Sequence, residues 1–506
     1  MFFVINTFFW YLIGITHPLI IPVITIFLVW IFNNQSPKFL QNIALISGVY
    51  SILKAFILYF VYKSQTNLLV LSDDLESFYV WPLTSLSTTF DIFDVNIDSI
   101  SIVFVCLTNI FIYLSIFTIN VSIAKYSQLI FNLFFLQLGV LCSFIFYDLL
   151  AFFIFFEMTL IPIYFLVLFW GSRERKVRAS YFISLYTLFG SIFMFFNIIY
   201  LYSKTGSTNY EVLLEIDFSK LESRILGLTF LLAFAPKVPL FPFHIWLPEA
   251  HVEAPTVGSV LLAVLLLKLG TYGIIRFAIP LFSEGVLYAV SLFSILAVMG
   301  IIYSCLCAIR QIDLKKIIAY SSVGHMSVVL LGLLANNMEG LEGGIFQMLS
   351  HGVVSGAMFF CVGTFYERHG VRSLKYISGL AYVYPLFAIV FLIFSMANIS
   401  FPLTSSFIGE FVILMGVLAQ SFWIVFFAST SMVLGAVYTL WTYNRIFFGN
   451  LSVLSIYSYK DLNTKEISLY FMLLFCLFFM GLFSYYFFDF IHYDCILLLE
   501  RKLYYY

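Results

Sequence analysis

The amino-acid sequence predicts an all-α polytopic membrane protein with about 14 transmembrane helices. The first observation is composition, because 62% of the 506 residues are hydrophobic, only 10% are charged, and the mean hydropathy is +1.03. A soluble chain of this length needs far more polar surface to cover its core. The second is the recurrence of apolar stretches of roughly 20 residues, the length that crosses a hydrocarbon core. The third is the charge of the loops between these stretches.

Short polar segments divide the chain into consecutive apolar spans, of which the seventh and the twelfth are interrupted. The first span lies in an apolar N-terminal region that has no cationic segment or small-residue cleavage site, so we interpret it as a span and not as a removable signal. The predicted spans are 9–32, 41–62, 98–120, 127–147, 149–170, 179–202, 224–247, 255–277, 286–308, 315–335, 343–365, 377–420, 422–448 and 467–489.

The loop charges test this division independently, because cations favour the inner side of a membrane. Loops that follow odd-numbered spans carry cations, and loops that follow even-numbered spans carry acids. Both termini are therefore predicted on the outer, acid-rich side. The cations are Lys38, Lys125, Arg173, Arg175, Lys176, Arg178, Arg310, Arg368, Arg372, Lys375, Lys460 and Lys465, and the acids are Asp73, Asp74, Glu76, Asp91, Asp94, Glu211, Glu215, Asp217, Glu284, Glu339 and Glu342.

Spans 4–8 and 9–13 form two blocks of five, and the interrupted span is the fourth member of each. The first break falls at Pro236, Pro239 and Pro242, and the second at Pro402. Blocks with an odd number of spans enter the membrane from opposite sides, so an inverted repeat is predicted, and its interrupted helices point to a transport site. The predicted divisions are 1–126 (spans 1–3), 127–277 (first repeat), 286–448 (second repeat) and 449–506 (span 14 and the tail).

Four charged residues and two histidines lie inside apolar spans, where each charge costs about 2.5–3.5 kcal/mol at the centre of a bilayer helix. A single buried histidine is commonly a packing residue, and a lysine near a helix end can extend to the headgroups. Neither alternative fits the whole set, because Lys237 and Lys268 have apolar sequence on both sides. We interpret the set as a proton relay. Its members are Glu157, Lys237, Lys268, His325, His351 and Glu410.

The prolines around Lys237 give that interpretation a physical basis. They remove three backbone donors, which a membrane tolerates only beside protein or internal water. A hydrated break is a place where an ammonium group can change its protonation state without full desolvation.

Other kinds of site are not indicated by the sequence. The seven cysteines are scattered apart from Cys305 and Cys307, whose spacing points the two thiols to nearly opposite faces of a helix. No phosphate-binding, dinucleotide-binding or haem-attachment motif occurs, so no bound cofactor or metal is expected in this chain. The net charge of -1 gives no basic face for nucleic acid.

Five stretches resemble the large antiporter-like membrane subunits of respiratory complex I. The longest is PKVPLFPFHIWLPEAHVEAPTVGSVLLAVLLLKLGTYG, residues 236–273, and the resemblance covers roughly residues 95–450. Two positions depart from the family pattern, with Pro236 where a β-branched residue is usual and Leu403 where a glycine is usual. The other stretches, in the same order as in the family, are FFEMTLIPIY (155–164), KKIIAYSSVGHMS (315–327), MLSHGVVSGAMFF (348–360) and PLTSSFIGEF (402–411).

The resemblance assigns expected roles to the charged residues. Glu157 and Lys237 would be a coupled pair in a first half-channel, and Lys268 would be the central relay lysine. His325 and His351 would lead onward to Glu410, the distal group on the outlet side. One branch of the family has a glutamate at this distal position, and Glu410 fits that branch.

The resemblance also implies a setting. Electron transfer from NADH to ubiquinone would occur in other subunits, which would hold FMN and the iron–sulfur clusters and bind ubiquinone. This chain would use the released energy to move protons, in contact with membrane lipids and with other membrane-arm subunits, including neighbouring antiporter-like ones. The expected location is the mitochondrial inner membrane. Two other functions remain open: a subunit of a multi-component sodium/proton antiporter, and a structural membrane-arm subunit without proton transport.

The loop charges generate a testable topology. A reporter inserted in the loop 171–178 is expected to face the matrix, and one in the loop 211–222 to face the opposite compartment, because the two loops have opposite charge. Protease protection of tagged vesicles measures the side. Two tags on the same side would overturn the predicted division into spans.

Overall fold

The computed structural model describes residues 18–70, 97–451 and 460–503. Over these residues the chain is helical and forms no β-strand; an isolated bridge joins Asp313 to Ser373. The helices are α1 Ile20–Ile31, α2 Pro37–Val70, α3 Ser99–Thr118, α4 Tyr126–Ile145, α5 Leu149–Met158, α6 Leu160–Trp170, α7 Lys176–Thr205, α8 Tyr210–Leu214, α9 Lys220–Phe234, α10 Trp246–Glu253, α11 Thr256–Leu261, α12 Leu267–Gly273, α13 Ile279–Leu281, α14 Ser283–Arg310, α15 Leu314–Leu334, α16 Met338–His369, α17 Pro385–Asn398, α18 Ser405–Leu418, α19 Phe422–Phe447, α20 Thr464–Leu482 and α21 Tyr485–Leu503.

The prediction of an all-α polytopic membrane protein is confirmed as a fold class. Within the described ranges, 11 helical segments are long and apolar enough to cross a membrane, and α1, α17 and α18 are shorter apolar helices. The count of 14 spans remains a prediction. The start of the first predicted span and the loop acids Asp73, Asp74, Glu76, Asp91 and Asp94 lie outside the described residues.

The described residues divide into two compact units. The first contains the chain up to Ile163 together with Thr208–Glu211. Its helices α2, α3 and α4 are joined by amide side chains. Asn109 donates to the Ser51 carbonyl at 3.1 Å, and Gln137 donates to the Asn109 side chain at 2.8 Å. Such contacts satisfy polar groups between apolar helices.

The second unit contains Tyr164–Ser207 and Val212 onward. Its centre is formed by α16 and by the segment Thr256–Leu281, both of which are buried throughout the most apolar part of their length. Helices α15 and α18 pack against α16, and α14 packs against α15. The two central elements carry His351 and Lys268, so these polar side chains lie where protein and not lipid surrounds them.

The chain breaks between α9 and α10, at the three prolines named above. Prolines cannot donate a backbone hydrogen bond, so a helix cannot continue unchanged through this segment. Turns replace it: Val238 N–H donates to the Phe234 carbonyl at 3.0 Å, and the freed Pro236 carbonyl accepts from the Trp246 indole at 2.8 Å. Lys237 is buried inside this break.

A second break separates α17 from α18 and contains Pro402. The Ser406 hydroxyl donates to the Ala397 carbonyl across it. Leu403 adopts a φ of 76°, in the left-handed region that favours glycine. The leucine that replaces the usual glycine therefore holds a strained conformation, and its side chain lies on the surface.

Three predicted spans differ from the structure. The span 149–170 is two helices that meet at Thr159, because Pro162 lacks the N–H that would bond the Met158 carbonyl. The span 255–277 contains two π-helical segments, Leu262–Leu266 and Ile274–Ala278, which carry no sequence signature. The predicted span 467–489 contains parts of two helices, since α20 ends at Leu482 and α21 begins at Tyr485.

The C-terminal end of α10 is held by donors from three separate segments: the loop before α7, the first turn of α15, and the loop after α16. Carbonyl groups at a helix end lack partners within the helix, and cations there complement the helix dipole. The three segments are those that the sequence analysis places at the ends of spans 5, 9 and 11; their assignment to one side of the membrane stays a prediction. The contacts are Arg372 to the Val252 carbonyl, Ser172 N–H to the Glu253 carbonyl at 3.1 Å, and Lys315 Nζ to the Ala254 carbonyl at 2.8 Å.

Candidate functional site

Lys268 lies about half-way along the segment Thr256–Leu281 and is completely buried. The two π-helical segments flank its helical turn on either side. A π segment shifts the carbonyl register, and such segments are frequent at functional sites. Lys268 Nζ donates to the Ala263 carbonyl, five residues earlier, at 2.6 Å. The irregular helix thus supplies one acceptor for an ammonium group that has three donors.

The second acceptor for Lys268 is the imidazole of His351 on α16. The distance from Lys268 Nζ to His351 Nδ1 is 2.9 Å, and both side chains are buried. A neutral imidazole can accept a hydrogen bond at this nitrogen from an ammonium. In the described part of the chain, no carboxylate forms an ion pair with Lys268. The groups that accept hydrogen bonds from Lys268 are therefore a backbone carbonyl and an imidazole, and neither is an anion.

His325 on α15 continues this line of polar side chains. Its ring centroid lies 5.6 Å from that of His351, and its Nδ1 lies 2.6 Å from Glu410 Oε1 on α18. Glu410 is buried, and the histidine is its ion-pair partner when protonated. Four of the six predicted site residues, from four different helical elements, thus form one continuous row from Lys268 to Glu410.

Gln347 belongs to the same site, although the sequence analysis did not single it out. It is buried on α16, one turn before His351, and its Nε2 donates to Glu410 Oε1 at 3.2 Å. A neutral amide costs less to bury than a charge, so it gives a weak sequence signal. Its spacing from His351 is the one available signal, because residues four apart share a helix face.

Glycines allow α18 to approach α16 closely enough for this contact. A Cβ on Gly409 would lie 2.4 Å from Gln347 Oε1, and a Cβ on Gly416 would lie 2.5 Å from the Gly340 nitrogen. Small residues of this kind let membrane helices pack with their backbones close together. Gly409 and Gly416 therefore help to position Glu410 beside α16, together with the hydrogen bonds of Glu410.

The remaining two predicted residues lie in different compact units. Glu157 is on the last turn of α5 in the first unit, and Lys237 is in the helix break of the second. Their pairing remains a prediction. Lys237 does lie beside the helix of Lys268, since a Cβ on Gly270 would be 3.1 Å from Lys237 Cβ.

The comparisons with known proteins identify the family to which this chain is similar. Residues 147–435 match the family described as NADH:quinone oxidoreductase/Mrp antiporter, TM. The chain is 46% identical to the NADH-ubiquinone oxidoreductase chain 4 of Marchantia polymorpha, over 79% of this chain and 81% of the relative. It is 43% identical to the protein of the same name from Prototheca wickerhamii, over 92% and 90% of the two chains.

The fold is also shared with a solved structure. A chain of the respiratory complex I from Thermus thermophilus with bound NADH superposes with a TM-score of 0.82 and 26% identity, over 96% of this chain and 99% of that one. The helical fold is thus that of an antiporter-like membrane subunit. The identities over most of both chains show that this chain belongs to the NADH-ubiquinone oxidoreductase chain 4 family.

Gln347 provides a test of the geometry. Gln347→Met keeps the length of the side chain but removes one of the two hydrogen-bond donors to Glu410 Oε1. We expect proton translocation to fall by about tenfold, the effect of losing one hydrogen bond to a charged group. The measurement is NADH-driven proton movement in membrane vesicles, normalised to assembled complex.

The control is Gln420→Met, because the Gln420 amide donates to the Leu334 and Ala335 carbonyls at a turn outside the row. This variant is expected to translocate protons normally. In a Glu410→Gln background, Gln347→Met is expected to cause little further loss. An equal loss in both backgrounds would mean that Gln347 only supports the packing of α16.

Proposed function

We propose that this chain is a proton-translocating membrane-arm subunit of respiratory complex I. Electron transfer from NADH to ubiquinone would occur in other subunits, which would hold FMN, the iron–sulfur clusters and ubiquinone. The observation that carries the proposal is the row of neighbouring titratable side chains from Lys268 through His351 and His325 to Glu410, in which two of the three steps are hydrogen bonds. Buried titratable residues within membrane segments characteristically mark ion pathways.

The row can pass a proton in a definite order. The Lys268 ammonium gives a proton to His351 Nδ1, which leaves a neutral amine and an imidazolium. His351 then releases the proton from its other nitrogen, and an intervening water or a rotation of the rings completes the 5.6 Å step to His325. His325 Nδ1 finally gives its proton to Glu410 Oε1. Each imidazole takes a proton on one nitrogen and loses one from the other, as histidine shuttles do.

The inlet of this relay is proposed to be the pair Glu157 and Lys237. Burial disfavours the charged form of each group, while a close partner of opposite charge favours it. The pair therefore has a closed state with both groups charged and an open state in which Lys237 releases its proton toward Lys268. The packing of Lys237 against Gly270, two residues from Lys268, supports this direction.

The inverted repeat is part of the proposal. Two five-helix blocks, at 127–277 and 286–448, would give about 14 spans with both termini on the outer side of the mitochondrial inner membrane. The matching positions of the breaks between α9 and α10 and between α17 and α18 support this layout. The apolar residues exposed along α7 and α19 are suited to lipids and to neighbouring membrane-arm subunits.

A sodium/proton antiporter subunit is the second candidate, since the matching family includes Mrp antiporters. Transport that requires sodium, measured in vesicles without NADH, would favour this candidate. A structural subunit is the third, and it would tolerate loss of the relay residues provided that the complex assembles.

Lys268 tests the proposed function directly. Lys268→Arg keeps the positive charge, but a guanidinium is not deprotonated in proteins. We expect proton translocation per assembled complex to fall by about two orders of magnitude, nearly as far as in Lys268→Ala. Native gels measure assembly, and proton movement in vesicles measures transport. Full activity of the arginine variant would show that the site needs charge and not proton exchange.

Glu157 and Lys237 are expected to behave as one unit. Once Glu157→Gln has uncoupled the pair, adding Lys237→Met is expected to cost little further transport, because titration belongs to the pair and not to either residue. Proton movement is compared among the two single variants and the double variant, each normalised to assembled complex. Losses that add in the logarithm of the rate would show that the two residues act independently.

A further inference from the structure

His251 is a buried titratable group that lies outside the proposed relay. It is on the last turns of α10 and is completely buried, with its ring stacked on Phe359 of α16 at 4.5 Å between centroids and 9° between planes. Neither ring nitrogen has a hydrogen-bond partner in the described part of the chain. A buried polar group without a partner costs free energy and calls for an explanation. A phenylalanine would provide the same stacking without that cost.

Two lysines act electrostatically on His251. The stronger effect is that of Lys315, at the cation-rich end of the unit, and the weaker is that of Lys268. Phe359 lies eight residues after His351 on α16, which places the stacked ring about 12 Å along the helix axis from the level of Lys268 and His351. His251 is therefore located between the cation-rich end and the centre of the proposed relay.

Polar groups continue from His251 to the surface at this end. The Ser259 hydroxyl donates to the His251 carbonyl at 3.2 Å, and Lys315 Nζ lies 3.2 Å from the same hydroxyl. Asp313, two residues before Lys315, pairs with buried Arg372 at 3.1 Å and with the solvent-exposed Arg173 at 3.6 Å. A line of polar groups thus runs from an exposed loop to the backbone carbonyl of His251, the residue that carries the buried imidazole.

One acidic group also faces this region. Glu253, on the same helix as His251, is buried, its carboxylate acts electrostatically on Lys315, and its Oε2 has no hydrogen-bond partner in the described chain. Two lysines and a buried carboxylate around a neutral ring form a set of groups among which one proton can be placed in several ways.

We propose that His251 is a proton-carrying residue that reprotonates Lys268 from the cation-rich end, by a route separate from Glu157 and Lys237. This inference rests on the proposed relay function. After Lys268 has passed its proton to His351, its amine is neutral. The imidazole of His251 takes up a proton on one nitrogen from the Lys315 side and releases the proton on its other nitrogen, which reaches that amine through intervening water. Protons and charge balance in this step, and no electron is transferred.

His251→Phe is the sharpest variant, because it keeps the aromatic stack on Phe359 and removes only the exchangeable protons. The complex is expected to assemble in normal amounts. NADH-driven proton movement per assembled complex is expected to fall several-fold, and the solvent deuterium isotope effect on the coupled reaction is expected to rise as proton delivery becomes limiting. A packing role would leave this isotope effect unchanged.

His369→Phe is the matched control. His369 also lies against aromatic rings, with Phe365 at 4.6 Å and Tyr384 at 5.6 Å, but at the far end of α16. Its variant is expected to have the transport rate and isotope effect of the wild type. His251→Gln is the second test variant, which keeps a polar side chain without proton exchange and decides the question if the phenylalanine variant assembles poorly.

Lys268→Arg, measured in parallel, distinguishes failure of the inference about His251 from failure of the proposed relay function. If this variant loses transport while both His251 variants translocate protons as the wild type does, the inference about His251 is wrong and the relay stands. If Lys268→Arg itself translocates normally, the proposed relay function is wrong. Loss in the Lys268 and His251 variants with a normal His369 control is the expected result.

Discussion

The hydrogen bond between Lys268 and His351 is the contact on which the arrangement of the second unit depends. A buried ammonium is costly unless its donors are satisfied, and here an imidazole and a backbone carbonyl accept from it at 2.9 Å and 2.6 Å. Both acceptors require particular backbone. The π-helical segment brings the Ala263 carbonyl within reach, and α16 must pass directly beside the segment Thr256–Leu281. The neutral character of both acceptors leaves the lysine free to change its protonation state.

Helix α16 carries the residues that make three of the contacts described above. Gln347, His351 and Phe359 follow each other at spacings of four and eight residues, so their side chains turn around the helix over about 120° in total. They contact, in turn, the carboxylate of Glu410, the ammonium of Lys268 and the ring of His251. A rotation or one-residue slip of α16 would disturb all three contacts together. The close glycine packing against α18 stabilises the observed register.

Much of this organisation could be predicted from the sequence, and the exceptions have physical reasons. Charged residues inside apolar spans are visible because their burial is expensive, and this identified Lys268 and Glu410. The prolines predicted both helix breaks, because a proline cannot donate the backbone hydrogen bond that a continuous helix needs. The π-helical segments could not be predicted, since they arise from tertiary packing of an ordinary apolar sequence. Gln347 and His251 were overlooked because a neutral amide and a histidine near a helix end carry weak signals when each is considered alone.

The depth of the polar row determines where the membrane voltage acts. Gln347, which contacts Glu410, lies four residues from His351, so the row rises only about 6 Å along the axis of α16. This is about a fifth of a hydrocarbon core of ~30 Å. Moving one charge across the full membrane costs about 2.3 kcal/mol per 100 mV, so in the proposed relay, with α16 along the membrane normal, transfer from Lys268 to Glu410 would work against only about 0.5 kcal/mol per 100 mV. In that relay most of the work against the voltage would be done where protons enter and leave, and transfer along the row would be nearly independent of the membrane voltage.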